Sequence, residues 1–283
     1  MRVGYLGPPG TFAEEALLGL LGPDPEAEAV PYPSVVDCFE AVARAEIPEA
    51  LVPIENSIEG SVNQTLDLLA GGSGDVVIRA ETVHPVRHHL IARTALAPED
   101  VERVVSHPHA TAQCQRFLRE RMPGVETAAA NSTAEAVRTV TATDAPWAAI
   151  GTLRAADLYD GEVIAADIED ARDNSTRFVL IGREPAAGVG PGRFKTTIVC
   201  ALRRDRPGAL LAILQELALR AINMTKLESR PAKTILGNYV FFIDMEGSRP
   251  RDLPVDAAIT ALEEQGVADV TFLGSYPAGA PSG

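Results

Sequence analysis

The stretch RVGYLGPPGTFAEEALLGLL, residues 2–21, sets the pattern for the first two thirds of the chain. Arg2 to Gly7 reads as a short strand, Gly7-Pro8-Pro9-Gly10-Thr11 as a turn, and Phe12 to Leu21 as a helix. Phe12, Ala16, Leu17, Leu20 and Leu21 share one helical face, and Thr11 and Glu14 stand at capping-box spacing. The same strand-then-helix unit repeats outward. Strands are expected at 50–55, 75–83, 89–92, 101–107, 147–151 and 177–182, and helices at 35–45, 62–69, 112–122 and 134–140. This alternation predicts an α/β architecture with mainly parallel sheets.

A Gly-, Pro- and Ala-rich break at Glu184 to Gly192 (EPAAGVGPG) marks a linker, taken to run over 184–194. Beyond it the order is strand 195–203, helix 208–219, strand 223–230, strand 238–246, helix 255–265 and strand 268–274. That is βαββαβ, a ferredoxin-like module with both helices on one face of an antiparallel sheet. Residues 277–283 (PAGAPSG) are expected to be a frayed tail.

The chain has 283 residues with a formal net charge of −14, which disfavours nucleic acid or an anionic membrane as a partner. No apolar run approaches the ~20 residues needed to span a bilayer. The N-terminus enters a strand with no signal-peptide pattern, so a cytoplasmic protein is expected. Cys38, Cys114 and Cys200 lie far apart and suit buried free thiols rather than a disulfide framework or zinc site. The lysines are Lys195, Lys226 and Lys233, so residues 1–194 have none. Schiff-base, pyridoxal and Walker-lysine chemistry are thereby excluded from that region. Anions there must be held by arginine, hydroxyls or backbone N–H groups.

Four polar turns at strand ends are the candidate sites. Gly7–Thr11 is either a plain helix cap or an anion site at a helix N-terminus. Pro53-Ile54-Glu55-Asn56-Ser57-Ile58-Glu59-Gly60-Ser61 crowds polar groups where α/β folds bind ligands, and Ser61 with Gln64 repeats the capping-box spacing. Ser106-His107-Pro108-His109-Ala110-Thr111 is the third turn. All five histidines fall between residues 84 and 109, but adjacent His88 and His89 face opposite sides of a strand and no His-Glu-x-x-His occurs, so no metal is expected. At Asp173-Asn174-Ser175-Thr176-Arg177-Phe178, Arg177 could fork onto a carboxylate or pair with a neighbouring acid.

Together these blocks carry a resemblance. GPPGTFAEEAL, VPIENSIEGSV followed by LDLL, SHPHATAQCQRFL and DNSTRFVLIG resemble, in order and spacing, the signature blocks of the prephenate dehydratase family. RPGALLAILQELALRAINMTKLESRP and YVFFIDMEG resemble the ACT regulatory domain attached to that enzyme. The resemblance spans residues 1–277. It implies a two-lobed catalytic domain over 1–183, like a type II periplasmic binding protein. One lobe is about 1–83 plus 177–183, the other 84–176, with the site in the cleft and an ACT domain over 195–277.

The implied reaction turns prephenate into phenylpyruvate, water and CO2 without cofactor or metal, driven by aromatisation of the ring. The resemblance makes Thr176 the essential residue, donating a hydrogen bond to the leaving hydroxyl. Arg177 is implied to neutralise a substrate carboxylate, with a structural salt bridge as the other reading. Thr11, Asn56, Ser106 and Gln113 are carried as substrate contacts. Glu55 joins them, either protonated beside the dianion or turned away. ACT domains of this family pair side by side and bind phenylalanine at the interface, which implies a homodimer or homotetramer. Here Gly208, Ala209, Leu210 and Leu211, with Asn223, Leu227, Glu228 and Ser229, are the implied effector residues. Asn131 stands where some relatives have glutamate, and Ala221 replaces the usual glycine before Ile222-Asn223. No chorismate mutase segment precedes Met1, so a monofunctional enzyme is expected. An arogenate dehydratase and a non-catalytic binding protein on the same modules are the competing readings.

Overall fold

The computed structural model describes all residues except 24, 72–75, 189, 204–205, 233–238, 265 and 280–283. Residues 75, 238 and 265, at the edges of expected elements, and 280–283 of the expected tail lie outside the described residues. The first segment runs β1 (Arg2–Leu6), α1 (Phe12–Leu21), β2 (Glu28–Tyr32), α2 (Val35–Ala43), β3 (Glu49–Asn56), β4 (Gly60–Ser61), α3 (Asn63–Ala70) and β5 (Val77–Pro85). The chain then crosses into a second lobe. This comprises β6 (His89–Ala92), β7 (Arg103–Ser106), α4 (Pro108–Ala112), α5 (Gln115–Arg121), β8 (Glu126–Ala129), α6 (Thr133–Thr141), β9 (Trp147–Gly151), α7 (Leu153–Leu158) and β10 (Glu162–Ala165). It returns through β11 (Ser175–Gly182), which inserts between β3 and β5 of the first lobe.

Both sheets are mixed rather than mainly parallel. The first has the order β2-β1-β3-β11-β5, with β1 parallel to its neighbours and β11 antiparallel to both of its own. The second has the order β10-β6-β9-β7-β8, with β6 antiparallel to β9 and β10. The antiparallel strands are those next to the two crossings, where the chain changes lobe instead of completing a βαβ unit.

The C-terminal module runs β12 (Phe194–Leu202), α8 (Ala209–Ala218), β13 (Met224–Pro231), β14 (Tyr239–Glu246), α9 (Leu253–Glu264) and β15 (Ala268–Pro277). Its antiparallel sheet, β13-β14-β12-β15, has two buried faces. Ile198, Cys200 and Ile243 pack on Ile213, Leu217 and Ile259 of the two helices. The alternate residues Val199, Val240, Phe242 and Leu273 join the core of the first lobe with Phe39, Ile54, Leu66 and Val179. Each such buried side chain contributes ~1.5–3 kcal/mol, so module and lobe share one core. Gly274 marks how closely they meet. Its φ is +133°, and a Cβ there would lie 2.3 Å from the Ile78 carbonyl oxygen. The expected fray at 277–279 is instead tied down, with Ala278 N donating to the Arg193 carbonyl at 2.9 Å and Gly279 N to Glu81 Oε1 at 2.9 Å.

All three cysteines are free and buried, and burial pushes the Cys38 and Cys200 thiols up to about 12. Neither is a thiolate nucleophile at neutral pH. Among the described residues no helix is long and apolar enough to cross a membrane.

Candidate active site

A cavity of about 570 Å³ opens between the lobes, and three helix starts converge on it. The first is α1, reached through Gly10 at φ +88°, where a Cβ would come within 3.1 Å of Ala155 across the lobe junction. Thr152 Oγ1 donates to the Gly10 carbonyl at 2.7 Å from the other lobe. The expected capping box is not formed: Glu14 Oε2 accepts from Gly10 N at 2.5 Å, one residue before the cap, and Thr11 Oγ1 donates to the Leu6 carbonyl at 3.2 Å. The second start is α4, with Pro108 in its first turn and His107 Nδ1 accepting from His109 N at 3.3 Å. Burial and the neighbouring His109 hold His107 below the usual imidazole range, so it stays neutral. The third, α6, has the hydroxyl half of a capping box, with the glutamate reaching one residue past the cap. Ser132 Oγ accepts from Glu135 N at 3.0 Å, and Glu135 Oε2 from Asn131 N at 3.0 Å. Partial positive charge from these helix ends favours an anionic occupant. Arg138, one turn further along α6, adds a full charge to the wall. Its guanidinium pairs with no carboxylate among the described residues.

Thr176 and Phe178 of β11 line the same cavity, as do Thr11, Asn56 and Gln113. Asn56 Nδ2 donates to Thr176 Oγ1 at 2.9 Å, and Asn56 Oδ1 accepts from Ile58 N and Glu59 N, both at 2.9 Å. The amide is therefore fixed with its donors toward Thr176, leaving the threonine's own proton to point at a ligand. Gln113 Oε1 accepts from His88 Nε2 at 3.0 Å. The His88 ring is buried edge-on to Phe12, and burial keeps its pKa below the ordinary value.

Alternation along the strands removes other expected residues from the cavity. Arg177 points through the opposite face of β11. Its guanidinium meets Asp244 at 2.6 Å, Glu81 at 2.7 Å and the Tyr276 hydroxyl at 3.0 Å, in a buried junction with the C-terminal module. Burial alone would lower its pKa, but Asp244, Tyr276 and Glu81 more than reverse that. Of the two readings of Arg177, the structure places it in the salt bridge and not on the cavity wall. Glu55, opposite Arg177 in the ladder, faces the same way and meets Lys226 at 3.1 Å. Ser106 is fully buried and donates to the Ile150 carbonyl at 2.8 Å, stitching β7 to β9 behind the wall. Ser61 caps no helix; its hydroxyl bonds Glu228 and Lys226.

In the C-terminal module, Gly208 (φ +85°), Ala209, Leu210 and Leu211 line a second cavity of about 380 Å³ with Arg206 and Phe241. Asn223, Leu227, Glu228 and Ser229 do not line it. Glu228 is turned to the first lobe with Lys226, while Leu227 and Ser229 alternate onto the other face of β13, an exposed sheet edge. Ala221 adopts φ +53°, the left-handed conformation a glycine takes without strain.

Arg138, His88 and Asn174 were missed by sequence reasoning. Ser132-x-x-Glu135 after a strand end was a usable signal for the third helix start, with Arg138 one turn on. Nothing local distinguishes His88 from its neighbour His89, which turns away to Asp167.

Comparison with known proteins adds the following. A family model described as prephenate dehydratase matches residues 3–186, and one described as ACT domain matches residues 196–263. A prephenate dehydratase of Amycolatopsis methanolica is 39% identical over 280 residues, covering 97% of this chain and 88% of that protein. The crystal structure of a prephenate dehydratase from Arthrobacter aurescens in complex with L-Phe superposes with a TM-score of 0.88 at 36% identity, covering 100% of this chain and 92% of that one. A structure described as GqqA, a novel type of quorum quenching acylase, gives a TM-score of 0.86 at 28% identity, covering 98% of each chain.

Proposed function

The chain belongs to the prephenate dehydratase family and carries out that family's reaction, the conversion of prephenate to phenylpyruvate, water and CO2; we propose that Thr176 is the residue that assists departure of the hydroxyl. The observation that carries this assignment is the Asn56 Nδ2 to Thr176 Oγ1 hydrogen bond at 2.9 Å. Because Oγ1 accepts from a fixed amide, its proton is free for the leaving oxygen, and the accepted bond strengthens it as a donor. A threonine hydroxyl is too weak an acid to be the ultimate proton source, so it stabilises the departing hydroxide while the proton that completes water comes from solvent.

The rest follows from charge. Prephenate is a dianion, and the α6 N-terminus with Arg138 holds one carboxylate in a bidentate grip. The ring lies between Phe12 and Phe178, and its own carboxylate leaves as CO2 as the electrons close the aromatic sextet. The catalytic side chains lie between lobes joined at two crossings, so closure over the substrate brings them together.

Regulation is assigned to the C-terminal module. L-phenylalanine places its carboxylate at the α8 N-terminus beside Gly208 and its ring against Leu210, Leu211 and Phe241. The open edge of β13 and the exposed Leu211, Leu227 and Tyr239 support pairing of two copies along this edge. Inhibition then requires a difference in prephenate affinity between two states, of about 5–150-fold for a coupling of ~1–3 kcal/mol.

The test is a substrate comparison on the full chain: prephenate, arogenate and an N-acyl amide, followed by absorbance of the aromatic product or by release of the amine. Turnover of prephenate at least tenfold faster than the others is expected. Faster turnover of arogenate would make the chain an arogenate dehydratase. Hydrolysis of the amide with prephenate untouched would overturn the assignment in favour of an acylase.

A further inference from the structure

Four residues close a ring of hydrogen bonds across the two lobes, one link passing through the Glu59 backbone. Glu59 N donates to Asn56 Oδ1 at 2.9 Å, and Asn56 Nδ2 donates to Asn174 Oδ1 at 2.9 Å. Asn174 Nδ2 donates to Gln113 Oε1 at 3.0 Å, and Gln113 Nε2 returns to Glu59 Oε1 at 3.3 Å. Asn56 and Glu59 belong to the first lobe and Gln113 to the second, while Asn174 sits in the returning segment just before β11. Every direction in the ring is forced. A backbone N–H can only donate and an ionised carboxylate can only accept, so all three amides have one permitted orientation. None can flip without breaking two bonds.

The groups facing the substrate hang from this ring. Thr176 Oγ1 takes the other proton of Asn56 Nδ2, and His88 Nε2 must carry its proton because Gln113 Oε1 only accepts. Asn174 itself is 1% exposed and does not line the cavity. It is the one member of the ring that bonds residues of both lobes while lying behind the wall. An amide buried there, with both its donor and its acceptor used between Asn56 and Gln113, is costly to keep unless both partners are held.

We propose that Asn174 is a positioning residue for this reaction: without touching substrate, it fixes both the amide that orients the Thr176 hydroxyl and the glutamine that the second lobe presents. The proposal rests on the reading of Thr176 given above. It also ties catalytic geometry to closure. If the lobes part, the ring breaks on either side of Gln113, and Asn174 is then held from the Asn56 side only.

The experiment measures kcat and KM of the full chain for prephenate in Asn174→Ala, Asn174→Asp, Thr176→Ala and the double variant Asn174→Ala/Thr176→Ala, with thermal unfolding alongside. Asn174→Ala is expected to lower kcat by roughly 10–100-fold, the scale of a misplacement of about 1 Å. In the Thr176→Ala background the same change should cost less than about threefold, because the group it positions is gone. Asn174→Asp still accepts from Asn56 but opposes Gln113 Oε1, so it should keep kcat within about fivefold of the parent while raising KM. That split stands even if the alanine variant does not fold. Multiplicative losses in the double variant would overturn the proposal, as would an Asn174→Asp variant that loses kcat as heavily as Asn174→Ala. Near-parental turnover by Thr176→Ala would instead remove the reading of Thr176 on which it rests.

Discussion

Replacing Arg177 with methionine separates a structural role from a substrate-binding one. In the folded chain Arg177 faces three carboxylates: Glu81 at 2.7 Å, Asp244 at 2.6 Å and Glu55 at 3.6 Å. Two of them have a second cation. Glu81 keeps Lys195 at 2.8 Å, and Glu55 keeps Lys226 at 3.1 Å. Asp244 keeps the Thr197 hydroxyl at 2.7 Å but loses its ion pair, and it is 2% exposed. Arg177→Met therefore leaves one buried carboxylate uncompensated, which costs about 3–5 kcal/mol. At roughly 2–4 °C per kcal/mol for a chain of this size, Tm should fall by roughly 6–20 °C. Adding Asp244→Asn removes the stranded charge and should return more than half of the loss. Calorimetry on the parent, both single variants and the double variant reads this directly. Assayed well below its Tm, Arg177→Met should keep KM for prephenate within about threefold. An unchanged Tm with KM raised a hundredfold would refute the reasoning and return Arg177 to the substrate.

Arg138→Ala should lower kcat/KM for prephenate by roughly tenfold or more, the weight of a charge-assisted hydrogen bond, and leave Tm unchanged; equal kinetics would mean that the helix ends alone hold the carboxylate. Ala221→Gly should raise Tm by a few degrees, since relief of about 1–2 kcal/mol of left-handed strain outweighs the glycine's added chain entropy; a lower Tm in calorimetry contradicts this. Burial holds His88, His89 and His107 below the ordinary imidazole range, so the unfolded chain takes up these protons first as the medium is acidified. Stability should accordingly be level in this respect above pH ~6.5 and fall below it, read as the urea midpoint between pH 8 and 5.5; a flat midpoint would count against it.

Local pattern carried much of the architecture. The helix expected over 12–21 is α1, Phe12–Leu21, because five apolar residues on one face meet Val3, Tyr5 and Leu51 beneath it. The βαββαβ order of the C-terminal module was legible because its strands are long and rich in β-branched and aromatic residues. The edge strands β2, β8 and β10 went unseen. They are short and half exposed, and β8 is Glu-Thr-Ala-Ala, with little strand propensity. The single helix expected over 112–122 is two, since Pro108 starts α4 early and the chain turns at Gln113-Cys114 before α5. The motif blocks pointed to the right turns but could not say which face of a strand meets the cavity. Thr176 and Arg177 are adjacent, one facing the cleft and the other the C-terminal module. That choice is set by the module docking on the far side of the sheet, a long-range fact absent from either residue's surroundings in the sequence.

The central claim is that the Thr176 hydroxyl, oriented by Asn56, assists loss of the substrate hydroxyl, and turnover of prephenate by Thr176→Ala beside Thr176→Ser tests it most directly. With both variants folded to the parental Tm within a few degrees, alanine should lower kcat by roughly 10²–10⁴-fold, while serine, which keeps the donor, retains much more. Alanine turning over prephenate within a few-fold of the parent would contradict the account.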